Sequence, residues 1–337
     1  MKIYKSLAAF LAIAPIAASA ATVYSPNGHL ALNYGENSDE LQLVHVDNNT
    51  TTNILKITNL GIVTDSGTFK IRDDAKFAMG EPVKVKYDML AGKRSQCTNE
   101  YIEYSFTSST AINSDLKLVC RLYDDGLTFR YEMDNLSGIS IKDELTTYVI
   151  DEGKNRWMQG FKLDYEMLFP KSTTGVAESR HWNYPSLIEN DNNVWALISE
   201  AGVESYNSAS SLFNTQEPQL FKIQPDVNNL KAEGNWHSPW RVVIAGKLNE
   251  LVESTLINDA SQECQLKDTA WIKPGVASWI YWANNHGSKD YQIVKKYIDM
   301  AATMHLPYVL IDWEWDVMGN GGDLNDAIKY ADSLGVK

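Results

Sequence analysis

The chain has 337 residues, 44% hydrophobic and 22% charged, with a formal net charge of −13 at pH 7. That apolar content excludes a disordered protein, and the length is a prior for about two domains. An acidic chain gains nothing from a phosphate backbone, which argues against nucleic acid as a partner.

Lys2 and Lys5 form a short basic start, and the apolar run "LAAFLAIAPIAA" leads to Ala18-Ser19-Ala20. This is the pattern of a signal peptide over residues 1–20, cleaved after Ala20. The run is well short of the ~20 residues a transmembrane anchor needs, so none is expected. Three cysteines remain: Cys97, Cys120 and Cys264. In an exported chain Cys97 could pair with Cys120, leaving Cys264 free, and their spacing fits no metal motif.

From about Val23 to Glu250 short alternating runs recur, among them "HLALNY", "LQLVHV", "FKIRDD", "VKVKYD", "YIEYSF", "VWALIS", "LFKIQ" and "WRVVIAG". Turn residues at Asn27-Gly28, Asp65-Ser66-Gly67 and Asp125-Gly126 separate several of them, and "RLYDDGLTFRYEM" reads as a hairpin. Many strands without long helical patterns predict a sandwich of antiparallel sheets. The 10 Trp and 17 Tyr suit such a core first, although a flat apolar face with a polar tip also suits a sugar ring.

After about Asp268 the pattern changes. "GVASWIYW" predicts a strand from Gly275 to Trp282. Ser288 is placed to cap a helix, with Asp290 in its first turn and Tyr291, Val294, Ile298 and Ala301 on one face. Pro307 is expected to end it, and "YVLI" follows as a strand buried on both faces. Asp323 caps a second helix carrying Leu324, Ala327, Ile328, Ala331 and Leu334, with Gly335 as its stop. The tail thus reads β-α-β-α. A complete (β/α)8 barrel takes about 250 residues, so the tail is expected to be the front of a parallel α/β domain, truncated after about two β/α units.

Ligands of parallel α/β folds bind at the carboxyl ends of the strands. There "PYVLIDWEWD" places Asp312, Trp313, Glu314, Trp315 and Asp316, and the first strand supplies Trp279, Trp282, Asn284, Asn285 and His286. Carboxylates accept hydrogen bonds from hydroxyls, and indole faces cover the C–H patches of a pyranose. Asp312, Trp313, Glu314, Trp279, Trp282 and Asn284 are therefore candidate substrate-binding residues. The competing reading makes Glu314 and Asp316 solvated loop charges, the tryptophans packing and His286 a loop residue.

"NWHSPWRVVIAG", "LVESTLINDA", "WIKPGVASWIYW" and "YVLIDWEWD", in that order, resemble glycoside hydrolase family 97, and "WALISEAGVESY" does so more loosely. The resemblance implies a β-rich N-terminal supersandwich over residues 21–267 followed by the start of a (β/α)8 TIM barrel over 268–337. The family holds inverting α-glucosidases and retaining α-galactosidases, and "WIYWANNHGSKDY" looks closer to the latter. By the same resemblance Asp312 holds sugar hydroxyls, and Glu200 supplies one ligand to a Ca²⁺ ion whose other ligands lie outside this chain. The catalytic carboxylates are expected on later barrel strands, so no catalytic residue is assigned among the 337. The expected enzyme acts on terminal α-linked hexoses of oligosaccharides and is exported, most simply to the periplasm. The rival class is a non-catalytic carbohydrate-binding β-module. Nothing in the sequence indicates an oligomeric state.

Overall fold

The structure is a computed structural model, which describes residues 16–17, 21–35, 39–47, 50–176, 180–214 and 216–337. Of the signal-peptide segment, residues 1–15 and 18–20 lie outside the described residues. The chain divides into two compact units, one running to Cys264 and one from Gln265 to Lys337.

The first unit is built from two large sheets, paired antiparallel throughout. One runs Lys76–Met79, Gln96–Ser108, Leu116–Tyr123, Gly126–Glu144, Trp240–Gly246, Trp195–Ala201 and Ser186–Glu189 in spatial order. The other runs Ser210–Asn214, Leu220–Pro225, Thr147–Val149, Thr50–Thr58, Leu41–Asp47, Leu30–Tyr34 and Ala21–Tyr24. Alternating side chains of both meet in one core that includes Leu32, Leu43, Ile57, Phe106, Leu118, Phe129, Tyr148, Phe221 and Val243. This is a sandwich, the arrangement that buries one face of each sheet. The predicted hairpin forms, but its turn is Asp124-Asp125 and not the expected Asp125-Gly126, since Gly126 already pairs with Tyr123 in the ladder.

The outer face of the first sheet also carries an apolar cluster, with Val119, Tyr123, Val242 and Ile244 buried beside Leu251, Leu256 and Ala260. Those last three belong to the helices Leu248–Glu253 and Leu256–Ala260. At six and five residues they are too short to carry a helical period, which is why the strand pattern hid them. Lys93 Nζ and Arg94 Nη2 donate to the carbonyls of Ser254 and Glu253, 2.7 and 2.6 Å away. Two cations thus satisfy the carbonyl end of the first helix, where the dipole favours them.

Of the two options the sequence left open, one Cys97–Cys120 disulfide or none, the structure has none. All three cysteines are free, with Cys97 and Cys120 buried and Cys264 exposed. The reason is register: Cys120 lies opposite Tyr104, seven positions along the strand from Cys97. At ~3.4 Å per residue, that separation far exceeds the ~7 Å limit for a disulfide. A thiol reagent is accordingly expected to label one site on the native chain and three after denaturation. Two fast sites in the native state would contradict this burial.

In the second unit Ala277–Trp279 pairs parallel with Tyr308–Leu310, and the helix Tyr291–Thr303 lies between them in sequence. Val294, Ile298 and Ala301 are the buried positions of that helix, as the period predicts. Three expectations need correction. The strand predicted over 275–282 is cut to Ala277–Trp279, because the chain then turns. Asp290, and not Ser288, is the N-cap: its carboxylate accepts from the backbone of Gln292 and Ile293. The helix also ends before Pro307. His305 adopts a left-handed φ of 55°, and Leu306 N donates to Ala301 O at 2.8 Å, which closes the last turn.

The second helix, Leu324–Ser333, starts at Asp323 with a reciprocal bond to Asp326 and stops at Gly335, whose φ is +73°. Its buried residues are Ala327 and Ala331, while Ile328 and Leu334 are exposed, against expectation. Leu310 on the second strand is also half exposed rather than buried. A parallel pair has too few neighbours to cover both of its faces.

Candidate functional site

Trp279 closes the first parallel strand, and Asp312 follows the second by two residues. Their pairing register sets Trp279 beside Leu310, so the two side chains emerge at the same end of the sheet. Trp279 Nε1–H donates to Asp312 Oδ2 at 2.7 Å, and the backbone N–H of Trp313 donates to Oδ1 at 2.7 Å. The backbone N–H of Asp312 donates in turn to Ser288 Oγ at 2.9 Å. One carboxylate is thus fixed by two donors and a tethered backbone. Each of its oxygens keeps capacity for a further hydrogen bond.

Further aromatic rings stand on the same two loops. The Trp279 and Trp282 rings lie 5.8 Å apart, and Trp282 is 83% exposed. Trp313 is half exposed and sits 5.0 Å from the ring of His286. Bare indole in such amounts is unusual on a protein surface.

Glu314 turns the other way. His286 Nδ1 donates to its Oε2 at 2.8 Å, with Lys289 Nζ at 3.9 Å. Asn284 is drawn off by helix Tyr291–Thr303, its amide donating to Tyr297 Oη at 2.8 Å. So Asp312, Trp279, Trp282 and Trp313 come together, while Glu314 pairs with His286 and Asn284 serves its own loop. Ser288, read from the sequence as a helix cap, and His286, weighed there between site and loop, hold these loops in place. Gly287 between them is required by close approach: a Cβ there would meet Ile280 Cγ2 at 2.7 Å and Asn284 Cβ at 2.9 Å.

Glu200 lies in the first unit, opposite Arg241 in the ladder. Its Oε2 accepts from Arg241 Nη1 and Ser210 Oγ, both at 2.7 Å, and its Oε1 accepts from Ser210 N at 3.0 Å. Burial pushes the Glu200 carboxyl up, while Arg241 and Ser210 pull it down. Arg241 also reaches Glu144 Oε2 at 2.7 Å. The residues present do not fit a calcium ion on their own. Glu200 is already engaged by a cation, and among the described residues no three His, Cys, Asp or Glu converge as metal ligands. Calcium takes six to eight oxygens.

The family described as Glycosyl-hydrolase 97 N-terminal matches residues 23–262. A probable retaining alpha-galactosidase of Streptomyces bingchenggensis is 26% identical over 266 residues, covering 75% of this chain and 42% of its own length. A retaining alpha-galactosidase of Bacteroides thetaiotaomicron is 22% identical, covering 66% of this chain and 41% of its own. The chain therefore spans about two fifths of the length of these curated relatives. Among solved structures, a Glycoside Hydrolase Family 97 enzyme in complex with acarbose, from Pseudoalteromonas sp. strain K8, superposes with a TM-score of 0.77 at 21% identity. A beta-arabinopyranosidase superposes at 0.79 and 22% identity. Each is matched over 94% of this chain and about half of its own, 53% and 54%. At such identity these superpositions bear on the fold alone. With more than half of its residues matched to the N-terminal domain of one family, the chain belongs to glycoside hydrolase family 97.

Proposed function

We propose that the chain is the N-terminal portion of an exported, periplasmic retaining α-galactosidase, with a supersandwich over residues 21–267 and the first two units of a catalytic (β/α)8 barrel over 268–337. The two curated relatives named above are called a probable retaining alpha-galactosidase and a retaining alpha-galactosidase. For the barrel, the support is the parallel pair with its intervening helix, and a further detail at Lys337. Its N–H donates to Pro307 O at 3.0 Å, and its carbonyl accepts from Val309 N at 2.9 Å. That is the parallel bonding pattern on the free edge of Tyr308–Leu310, where a third barrel strand would lie.

The observation that carries the site is the Asp312 carboxylate, held by Trp279 and Trp313 at the carboxyl end of the parallel strands. Here Asp312 accepts from hydroxyls of the terminal hexose, Trp279 keeps the carboxylate oriented, and the open faces of Trp282 and Trp313 cover the sugar's C–H surface. Glu314 stands at the edge of this group, and Asn284 shapes its loop. Retaining hydrolysis needs two carboxyl groups about 5–5.5 Å apart. Asp312 and Glu314 do not form such a pair, since one is bound to Trp279 and the other faces His286. The nucleophile and the acid/base are assigned to later strands of the whole enzyme. Calcium at Glu200 would need its Arg241 ion pair to open and further ligands from other residues, and no step is routed through it.

The test compares p-nitrophenyl α-galactoside and α-glucoside on the product of the complete reading frame. Asp312→Asn is expected to raise KM about 10- to 100-fold, the equivalent of ~1.5–3 kcal/mol for a hydrogen bond to a charged group. The 337-residue chain alone is expected to release no p-nitrophenol. Wild-type kinetics in Asp312→Asn, or turnover by the chain alone, would refute the assignment. A preference for the glucoside would move it to the inverting α-glucosidases.

A further inference from the structure

His286 and Glu314 share an unusual feature. Both adopt left-handed backbone, with φ of 62° and 66°, although neither is glycine. That region costs an L-residue about 1–2 kcal/mol and is normally given to glycine or asparagine. Asn320 and Gly321 occupy it at the next turn, with φ of 63° and 97°. A glutamate held there is fixed by its surroundings, its own side-chain contacts included. That side chain accepts from His286 Nδ1 at 2.8 Å, and it is only 22% exposed against 48% for the histidine. The two residues stand on different strand-end loops, one following Ala277–Trp279 and one following Tyr308–Leu310. Asp312 and Trp313 precede Glu314 directly in its loop, the latter with its ring against His286.

We infer that His286 and Glu314 form a clamp that ties the two strand-end loops together and sets the positions of Asp312 and Trp313 for the hexose. His286 is a positioning residue: it acts through Glu314 and Trp313. The inference rests on the sugar-site reading above. Strain in two loops is offset by one charge-assisted hydrogen bond, so binding geometry is gained at the expense of local stability.

Four variants of the complete enzyme test this, assayed on whichever of p-nitrophenyl α-galactoside and α-glucoside the wild type turns over. Glu314→Gly relieves the left-handed strain, so it is expected to melt no lower than wild type while KM rises about tenfold. A purely structural role predicts that stability and KM move together. His286→Ala is expected to raise KM about tenfold. His286→Asn is expected to restore KM to within about threefold, because Asn tolerates the backbone and places its amide nitrogen where Nδ1 lies. Unchanged KM in Glu314→Gly or His286→Ala overturns the clamp, and so does failure of His286→Asn to rescue. Asp312→Asn is the control that separates the two ideas. If it raises KM while the other variants do not, the clamp alone falls. If it has no effect, the sugar site and the clamp fall together.

Discussion

Replacing Arg241 with methionine is expected to destabilise the sandwich by about 3–5 kcal/mol, read as a lower midpoint in urea. The guanidinium is 2% exposed and lies between Glu144 and Glu200, with Nη2 and Nη1 each 2.7 Å from a carboxylate oxygen. Burial works against its charge, but the two carboxylates outweigh burial and hold it protonated. Without the cation, two carboxylates would remain in the interior with nothing to balance them. The cost therefore comes from what is left behind. Changing all three residues together, as Glu144→Gln, Arg241→Met and Glu200→Gln, is expected to recover at least half of the loss. A triple variant no better than Arg241→Met would show that packing, rather than stranded charge, sets the penalty.

Phe129→Ala is expected to cost a similar ~3–5 kcal/mol, by the lost transfer energy and the cavity it leaves. Phe129 is fully buried on the strand Gly126–Glu144 and meets Tyr148 of the other sheet edge-on, ring centroids 6.4 Å apart. It sits where the two sheets are pressed together. It is also the ladder partner of Arg241, so the two substitutions are expected to be non-additive. As a comparison, Val85→Ala at a 39% exposed position is expected to stay within about 0.5 kcal/mol of wild type. Equal midpoints for Phe129→Ala and wild type would contradict the sandwich seam.

Local periodicity carried much of this architecture. The runs "VKVKYD" and "WRVVIAG" became Val83–Asp88 and Trp240–Gly246 without a change of boundary. The face Val294, Ile298 and Ala301 is the buried face of its helix. These features depend on residues within a few positions of one another, and a period of two or 3.6 records them directly. Asp312 and Trp279 were legible for a related reason. Each sits at a strand end, and their meeting needed only correct strand pairing.

The remaining features depend on distance in the chain. Arg241 reads as one more residue in an apolar strand. That it gathers Glu144 and Glu200, 97 and 41 positions away, follows only from the order in which distant strands are laid side by side in one sheet. Cys97 and Cys120 are near in sequence and remote in space because the register of a hairpin separates them. The clamp of His286 and Glu314 joins two loops 28 residues apart and needs left-handed backbone at both, a choice that neither side chain advertises. Pattern thus specifies elements and the ends at which chemistry gathers. Which charges pair, which thiols stay apart and which loops are tied are set by packing between elements, because those energies arise from contacts that sequence spacing does not encode.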